Sequence, residues 1–157
     1  MLKQLNRLSI DADGRYATAS ELQFLKNYLQ TVDQRIQTYE KLRDSADAIA
    51  NQLDTHVRAA EPEFFSTASK EYLDFCLRDR KTAVRCSAAA MLIDDLDNLR
   101  NGVLCWVRTI VNAVGYGKAA KVSHKVMPDV MGQYLTPDEM KLITPALALN
   151  RSILTDD

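Results

Sequence analysis

Phe75-Cys76-Leu77-Arg78-Asp79, continuing through Arg80-Lys81-Thr82-Ala83-Val84-Arg85-Cys86 to Ala88-Ala89-Ala90-Met91, is the stretch on which the fold of this chain turns. Tyr72, Phe75, Cys76, Leu77, Val84, Ala88 and Met91 recur as on one long helix, which Ser66 or Thr67 is expected to cap and the acidic turn at Asp94-Asp95 to end. Residues three apart on a helix are neighbours, so the Cys76 thiol and the Asp79 carboxylate share a face while Arg78 points sideways. A nucleophilic sulfur, a carboxylate and a guanidinium within one turn suit an elongated ligand that is tethered covalently, held at its N–H groups and clamped at a peripheral acid.

Outward from this helix the pattern stays helical. Leu2, Leu5 and Leu8 form a short amphipathic segment that stops at Asp11-Ala12-Asp13-Gly14. Thr18-Ala19-Ser20-Glu21 is a capping-box pattern, followed by a stripe through Leu25, Leu29, Val32, Ile36 and Tyr39. Around Arg43-Asp44-Ser45 the register is expected to break. A second helix with Ile49, Leu53 and Val57 then runs to Glu61-Pro62. Downstream, Leu96, Leu99, Val103, Trp106, Val107, Ile110 and Val114 repeat at threes and fours up to Gly115-Tyr116-Gly117, with Gly102 a weak point that divides the helix. Lys118 to Val126 is helical until Pro128, and Thr136-Pro137-Asp138-Glu139 starts a last helix that Pro145 is expected to kink or split. No stretch alternates like a strand, so the fold class is all-α, with seven or eight helices around one core.

With 157 residues, 46% of them hydrophobic, the chain is sized for one compact domain, residues 1–157, without a linker. Twenty basic residues against 21 acidic ones leave no cationic footprint, which argues against nucleic acid and anionic membranes as partners. The amino-terminal residues lack the apolar run of a secretory signal and no stretch is apolar enough to span a bilayer, so a cytoplasmic location is expected. Cys76, Cys86 and Cys105 are odd in number and unpaired in spacing, which speaks against disulfides and a cysteine zinc site.

Phosphate loops, nucleophile elbows and metal-binding histidine pairs are missing, so no catalytic residue and no metal ligand is assigned and a non-enzyme is expected. His56 and His124 have polar or basic neighbours and read as surface residues, with haem ligation the less favoured role. Cys86 and Cys105 read as small buried hydrophobes. Cys76 is set apart by Arg78, Arg80 and Lys81, whose positive potential favours the thiolate, and by Asp79, which opposes it.

Cys76-Leu77-Arg78-Asp79 resembles the chromophore motif of the phycobiliproteins, the allophycocyanin and phycocyanin type subunits of phycobilisomes. Asp11-Ala12-Asp13-Gly14-Arg15-Tyr16 with Ser20-Glu21-Leu22 is similar to the pattern with which those subunits leave their N-terminal helical pair. Arg85 falls where the family has an interface arginine. Leu96-x-x-Leu99-Arg100-Asn101-Gly102 and the run from Arg108 to Gly115 resemble its two following short helices. The resemblance implies a globin-like helical bundle, residues 18–157, with an N-terminal hairpin extension whose interface region is residues 1–17.

It also implies a linear tetrapyrrole of the phycocyanobilin type joined by a thioether to Cys76. Asp79 would accept from the inner N–H groups, Arg78 would hold a propionate, and Lys70 would stand in for the arginine usual ahead of the cysteine. Asp11, Tyr16 and Arg85 would meet another phycobiliprotein-like subunit in a homo- or hetero-oligomer, at the cytoplasmic face of the thylakoid. The implied role is light harvesting and energy transfer. Thr82, Ala83 and Val111 replace tyrosines of the family pattern, and Phe64 to Ala68 shortens a loop, which motivates two further readings: a pigment-poor scaffold or regulatory adaptor, and, on the shared fold alone, a haem-binding sensor.

Overall fold

The computed structural model describes residues 1–155; the last two residues of the expected unit, 156 and 157, lie outside them. Among the described residues there are helices and turns and no strand. In chain order the helices are α1 (Leu2–Asp11), α2 (Gln23–Ala60), α3 (Pro62–Thr67), α4 (Lys70–Ile93), α5 (Leu96–Leu99), a π-helical turn (Arg100–Leu104), α6 (Cys105–Ala113), α7 (Gly117–Met131) and α8 (Pro137–Leu154). One core joins Leu42, Ile49 and Leu53 of α2 to Val84 and Met91 of α4, Met127 and Met131 of α7 and Ile143 of α8. Each such side chain, fully withdrawn from water, stabilises the fold by about 1.5–3 kcal/mol.

The expected break at Arg43-Asp44-Ser45 is absent, and α2 is one helix of 38 residues. Leu42, Ala46, Ile49, Leu53 and Val57 continue at spacings of four, three, four and four, so one face stays on the core. Arg43 and Asp44 are exposed and pair with each other at 2.8 Å. The first half of the helix behaves differently. Leu29 is 59% exposed and Ile36 43%, so the stripe read there is not a buried face within this chain.

The cap of α4 is Ser69, whose hydroxyl accepts from Tyr72 N at 3.2 Å, rather than Ser66 or Thr67. Those two lie inside α3, which Pro62 opens at its first turn, where a missing N–H costs nothing. The far end of α4 closes at Asp94 in the left-handed conformation (φ 51°), with Arg35 donating to Met91 O and to Asp94 at 3.3 Å and Tyr28 donating to Leu92 O at 2.9 Å. These donors from α2 satisfy carbonyls that the helix end leaves open. The N-terminal ammonium also donates there, to Asp94 O at 2.5 Å, and Lys3 approaches Asp95 to 3.8 Å, which ties α1 to the bundle although no residue of α1 is buried.

The turn between α1 and α2 explains a pattern met in the sequence. Arg15 forks onto both Glu21 oxygens (3.0 and 2.7 Å), and Glu21 also accepts from Thr18 N at 2.8 Å. These bonds hold the Glu21 carboxyl down at about 2. The Thr18–Glu21 box thus forms in the turn, two residues before α2 proper begins.

Neither internal proline divides a helix. Pro128 sits in the last turn of α7, where it removes one i→i−4 hydrogen bond, and the helix runs on to Met131. Pro145 is exposed within α8, but Ile143, Ala146 and Leu147 beside it are buried. A complete capping box, Thr136 with Glu139, starts that helix, and Lys41 of α2 reaches Glu139 at 2.6 Å. Gly102, the weak point in the sequence, lies in the π-helical turn, which widens the helix without ending it.

Candidate ligand cleft

Cys76, Asp79, Arg80, Ala83 and Cys86 recur at three- and four-residue spacing, so one side of α4 carries all of them along a cleft. Its opposite wall comes from the 96–113 segment, chiefly Leu99, Val103, Leu104, Val107 and Val111, and its inner wall from α7 and α8. The cavity measures about 350 Å³. Its lining is mainly apolar with a few polar groups, the usual make-up of a small-molecule site.

Arg78 stands exposed at the mouth with its guanidinium 4.4 Å from the centre of the Phe75 ring. Partial desolvation pushes the Asp79 carboxyl above its ordinary value, against the opposing pull of Arg78 and Arg80. Burial likewise pushes the Cys76 thiol up, although a hydrogen bond with Tyr116 and the charge of Arg80 act in the other direction. The thiolate promised by the basic neighbours is therefore offset: Cys76 is only 4% exposed, and desolvation outweighs the charges.

Three of the four expected ligand-binding residues, Cys76, Arg78 and Asp79, meet at this cleft. Lys70 does not line it: it is exposed at the first residue of α4, and six residues of helix place it about 9 Å from Cys76 along the axis. Tyr16 is 98% exposed, Asp11 is exposed at the end of α1, and Arg85 is exposed on α4 beside a second groove of about 340 Å³ shared with α2. Among the described residues no bond joins Arg85 to Asp11 or Tyr16.

The sequence reading missed Arg80 and Tyr116. Arg80 is 3% exposed and binds Asp54 of α2 at 2.7 Å and the Tyr116 hydroxyl at 2.7 Å, with its Nε left unpartnered. Burial pushes the Tyr116 phenol well above its ordinary value in spite of Arg80, so it remains neutral beside Cys76. Nothing in Gly115-Tyr116-Gly117 beyond a helix stop signals this, because the partners lie 36 and 40 positions away.

Two cysteines and one histidine depart from expectation. Cys86 is half-buried and lines the cleft, and Cys105 is exposed at the start of α6, off the apolar stripe of that segment. His56 is exposed and its Nδ1–H donates to Gln52 O (2.8 Å), whereas His124 is buried in the inner wall. The basic residues that flank His124 in sequence point to the outside of α7, while His124 itself lies on the Ala120–Met127 face.

Burial lowers His124 to about 4, so it is neutral at pH 7. Unfolding restores an ordinary histidine near 6.5, and the unfolded chain then binds more protons between these values. Stability is expected to fall as the pH drops from about 6.5 towards 4, by on the order of 3 kcal/mol. His124→Leu removes that component, and urea titrations of both proteins at pH 7 and pH 4.5 measure the difference.

The structure is thus an all-helical bundle with one mainly apolar cleft that brings together a thiol, a carboxylate and a guanidinium. A family model described as phycobilisome protein matches residues 8–152, and the chain belongs to that family. Among curated relatives, it is 26% identical over 148 residues to the allophycocyanin alpha-B chain of Porphyra purpurea, covering 90% of this chain and 92% of that one. Allophycocyanin subunit alpha-B of Picosynechococcus sp. is 27% identical over 143 residues (88% and 89%), and the phycobiliprotein beta chain of Mastigocladus laminosus 28% over 109 residues (67% and 64%). Among the described residues no helix is long and apolar enough to cross a membrane.

Proposed function

We propose that this protein carries a linear tetrapyrrole of the phycocyanobilin type on Cys76 and serves, without catalysis of its own, in light harvesting and energy transfer at the cytoplasmic face of the thylakoid. The observation that carries this reading is the meeting of Cys76, Arg78 and Asp79 at one apolar cleft in a chain of the phycobilisome family. The thiol adds across a conjugated C=C of the ligand, sulfur bonding to one carbon and the hydrogen ending on its neighbour, so attachment needs no oxidant. Asp79, one turn from the sulfur, accepts from the inner N–H groups, and a protonated ligand stabilises its ionised form. Arg78 at the mouth holds a propionate in its fork. Walls that keep the conjugated chain stiff favour energy transfer over twisting.

A second phycobiliprotein-like subunit is the proposed partner. Asp11 and Tyr16 are exposed, and Arg85 stands with Arg43, Arg78 and Lys81 around the groove between α2 and α4, which suits an acidic turn such as Asp11 to Asp13 of another subunit. The exposed Leu29 and Ile36 support an association through the N-terminal helices.

The test is co-production with bilin-synthesising enzymes. The expected result is visible absorption in the native protein and zinc-enhanced fluorescence of the denatured band. An intact Cys76 without covalent pigment would overturn the light-harvesting reading. It would leave the pigment-poor adaptor, which the raised Cys76 thiol and the missing aromatic walls favour.

A further inference from the structure

The cleft has a polar inner end that neither Cys76 nor Asp79 reaches. Asn150 of α8 is 1% exposed and His124 of α7 is 8% exposed, both line the cavity, and Asn150 Oδ1 and His124 Nδ1 are buried without a hydrogen-bond partner. Buried polar atoms are costly to leave unpaired, and native proteins retain few of them. A cavity of about 350 Å³ is far larger than the ~30 Å³ share of one water.

The orientation of the Asn150 amide follows from its neighbours. The Ser87 hydroxyl donates its only hydrogen to Ala83 O at 2.7 Å, so its oxygen is left to accept, and it accepts from Asn150 Nδ2 at 2.7 Å. The amide is thereby turned with Oδ1 as the free atom, an acceptor that calls for an N–H or O–H. Neutral His124 supplies either a donor or an acceptor at Nδ1. Among the described residues no charged side chain lines this end, so it disfavours a carboxylate, which Arg78 serves at the mouth.

The distance suits an elongated ligand. Ser87, and with it the Asn150 amide, lies eleven residues beyond Cys76 on α4, about 16 Å along the axis. That is the reach of a molecule of several linked rings rather than of one ring.

We infer that His124 and Asn150 form a recognition site for a lactam edge, the ring N–H donating to Asn150 Oδ1 and the adjacent C=O accepting from His124 Nδ1–H. The ligand is then held at both extremities, by sulfur at one end ring and by this donor–acceptor pair at the other. The inference rests on the tetrapyrrole reading, which supplies a ligand of that length ending in lactams.

The test uses the full chain with Cys76→Ala, so that binding stays reversible, and free biliverdin as the probe. Trp106, the single tryptophan, lines the cleft and reports occupancy by its fluorescence. His124→Leu and Asn150→Leu are each expected to weaken biliverdin about tenfold, with His124→Gln restoring part of the loss. The bis-lactim ether of biliverdin, which lacks the terminal N–H and C=O, is expected to bind the protein with His124 and Asn150 intact about tenfold more weakly and to lose nothing further in His124→Leu. Equal affinity for biliverdin and its lactim ether overturns the lactam site while the tetrapyrrole reading stands, and this arm needs no inner-wall substitution and so does not depend on the folding of a variant. Unquenched Trp106 at saturating biliverdin overturns both.

Discussion

Cys76→Ala protein, co-produced with bilin-synthesising enzymes, is expected to carry no pigment through denaturation, whereas Cys86→Ala protein keeps its full complement. The contrast is informative because both thiols line the same cleft. Cys86 lies ten residues further along α4, about 15 Å from Cys76, and a ligand attached there would leave Asp79 and Arg78 without their partners. Cys105 is exposed and outside the cleft, so it offers no substitute. Loss of one sulfur from a helix face costs on the order of 1 kcal/mol, too little to unfold the bundle. Zinc fluorescence of denatured bands, normalised to protein, measures the result. Pigment persisting on Cys76→Ala protein would move the attachment point elsewhere.

Arg80→Met is expected to lower stability by about 3–5 kcal/mol, because it strips a buried ion pair of one member. Asp54 keeps only Arg58, at 2.5 Å on its own helix, and the Tyr116 hydroxyl loses the 2.7 Å bond that orders it next to Cys76. For a chain of this size such a loss lowers Tm by roughly 10 °C. Asp54→Asn combined with Arg80→Met is expected to cost less than the sum of the single changes, since the uncompensated carboxylate is then gone. Thermal unfolding of the four proteins completes the cycle. A loss below about 1 kcal/mol for Arg80→Met would mean that water reaches Asp54 and that the network contributes little.

The same network links stability to the site. Arg80 sits one residue after Asp79, packs α4 onto α2 through Asp54, and orders Tyr116 at the start of α7. It lines the cleft together with Cys76. As a sequence feature it was one more basic residue in Arg78-Asp79-Arg80-Lys81, and only its burial distinguishes it from its neighbours.

The all-helical class, the ends of α1 and α4, the start of α8, and the shared face of Cys76 and Asp79 were legible from local rules, because caps and i, i+3 neighbours depend on residues within one or two turns; the start of α4 was not, since Ser69 rather than Ser66 or Thr67 caps it. The errors fell where local and distant preferences compete. A polar interruption at Arg43-Asp44-Ser45 resembles a break in isolation, yet Leu42 and Ala46 carry the buried stripe past it once α4 lies alongside. Pro128 and Pro145 each remove one backbone bond, and packing of Met127, Met131, Ile143 and Leu147 outweighs that loss. The expectation of a tethering group rests on four consecutive residues, Cys76 to Asp79. The other end of the cleft was invisible because His124, Asn150 and Ser87 come from three helices, and their polar atoms acquire meaning only when folding removes water from them. Local sequence determined the helices and the chemistry at the mouth; the tertiary structure decided which polar groups were left buried and in need of a partner, since desolvation is a property of the packed whole.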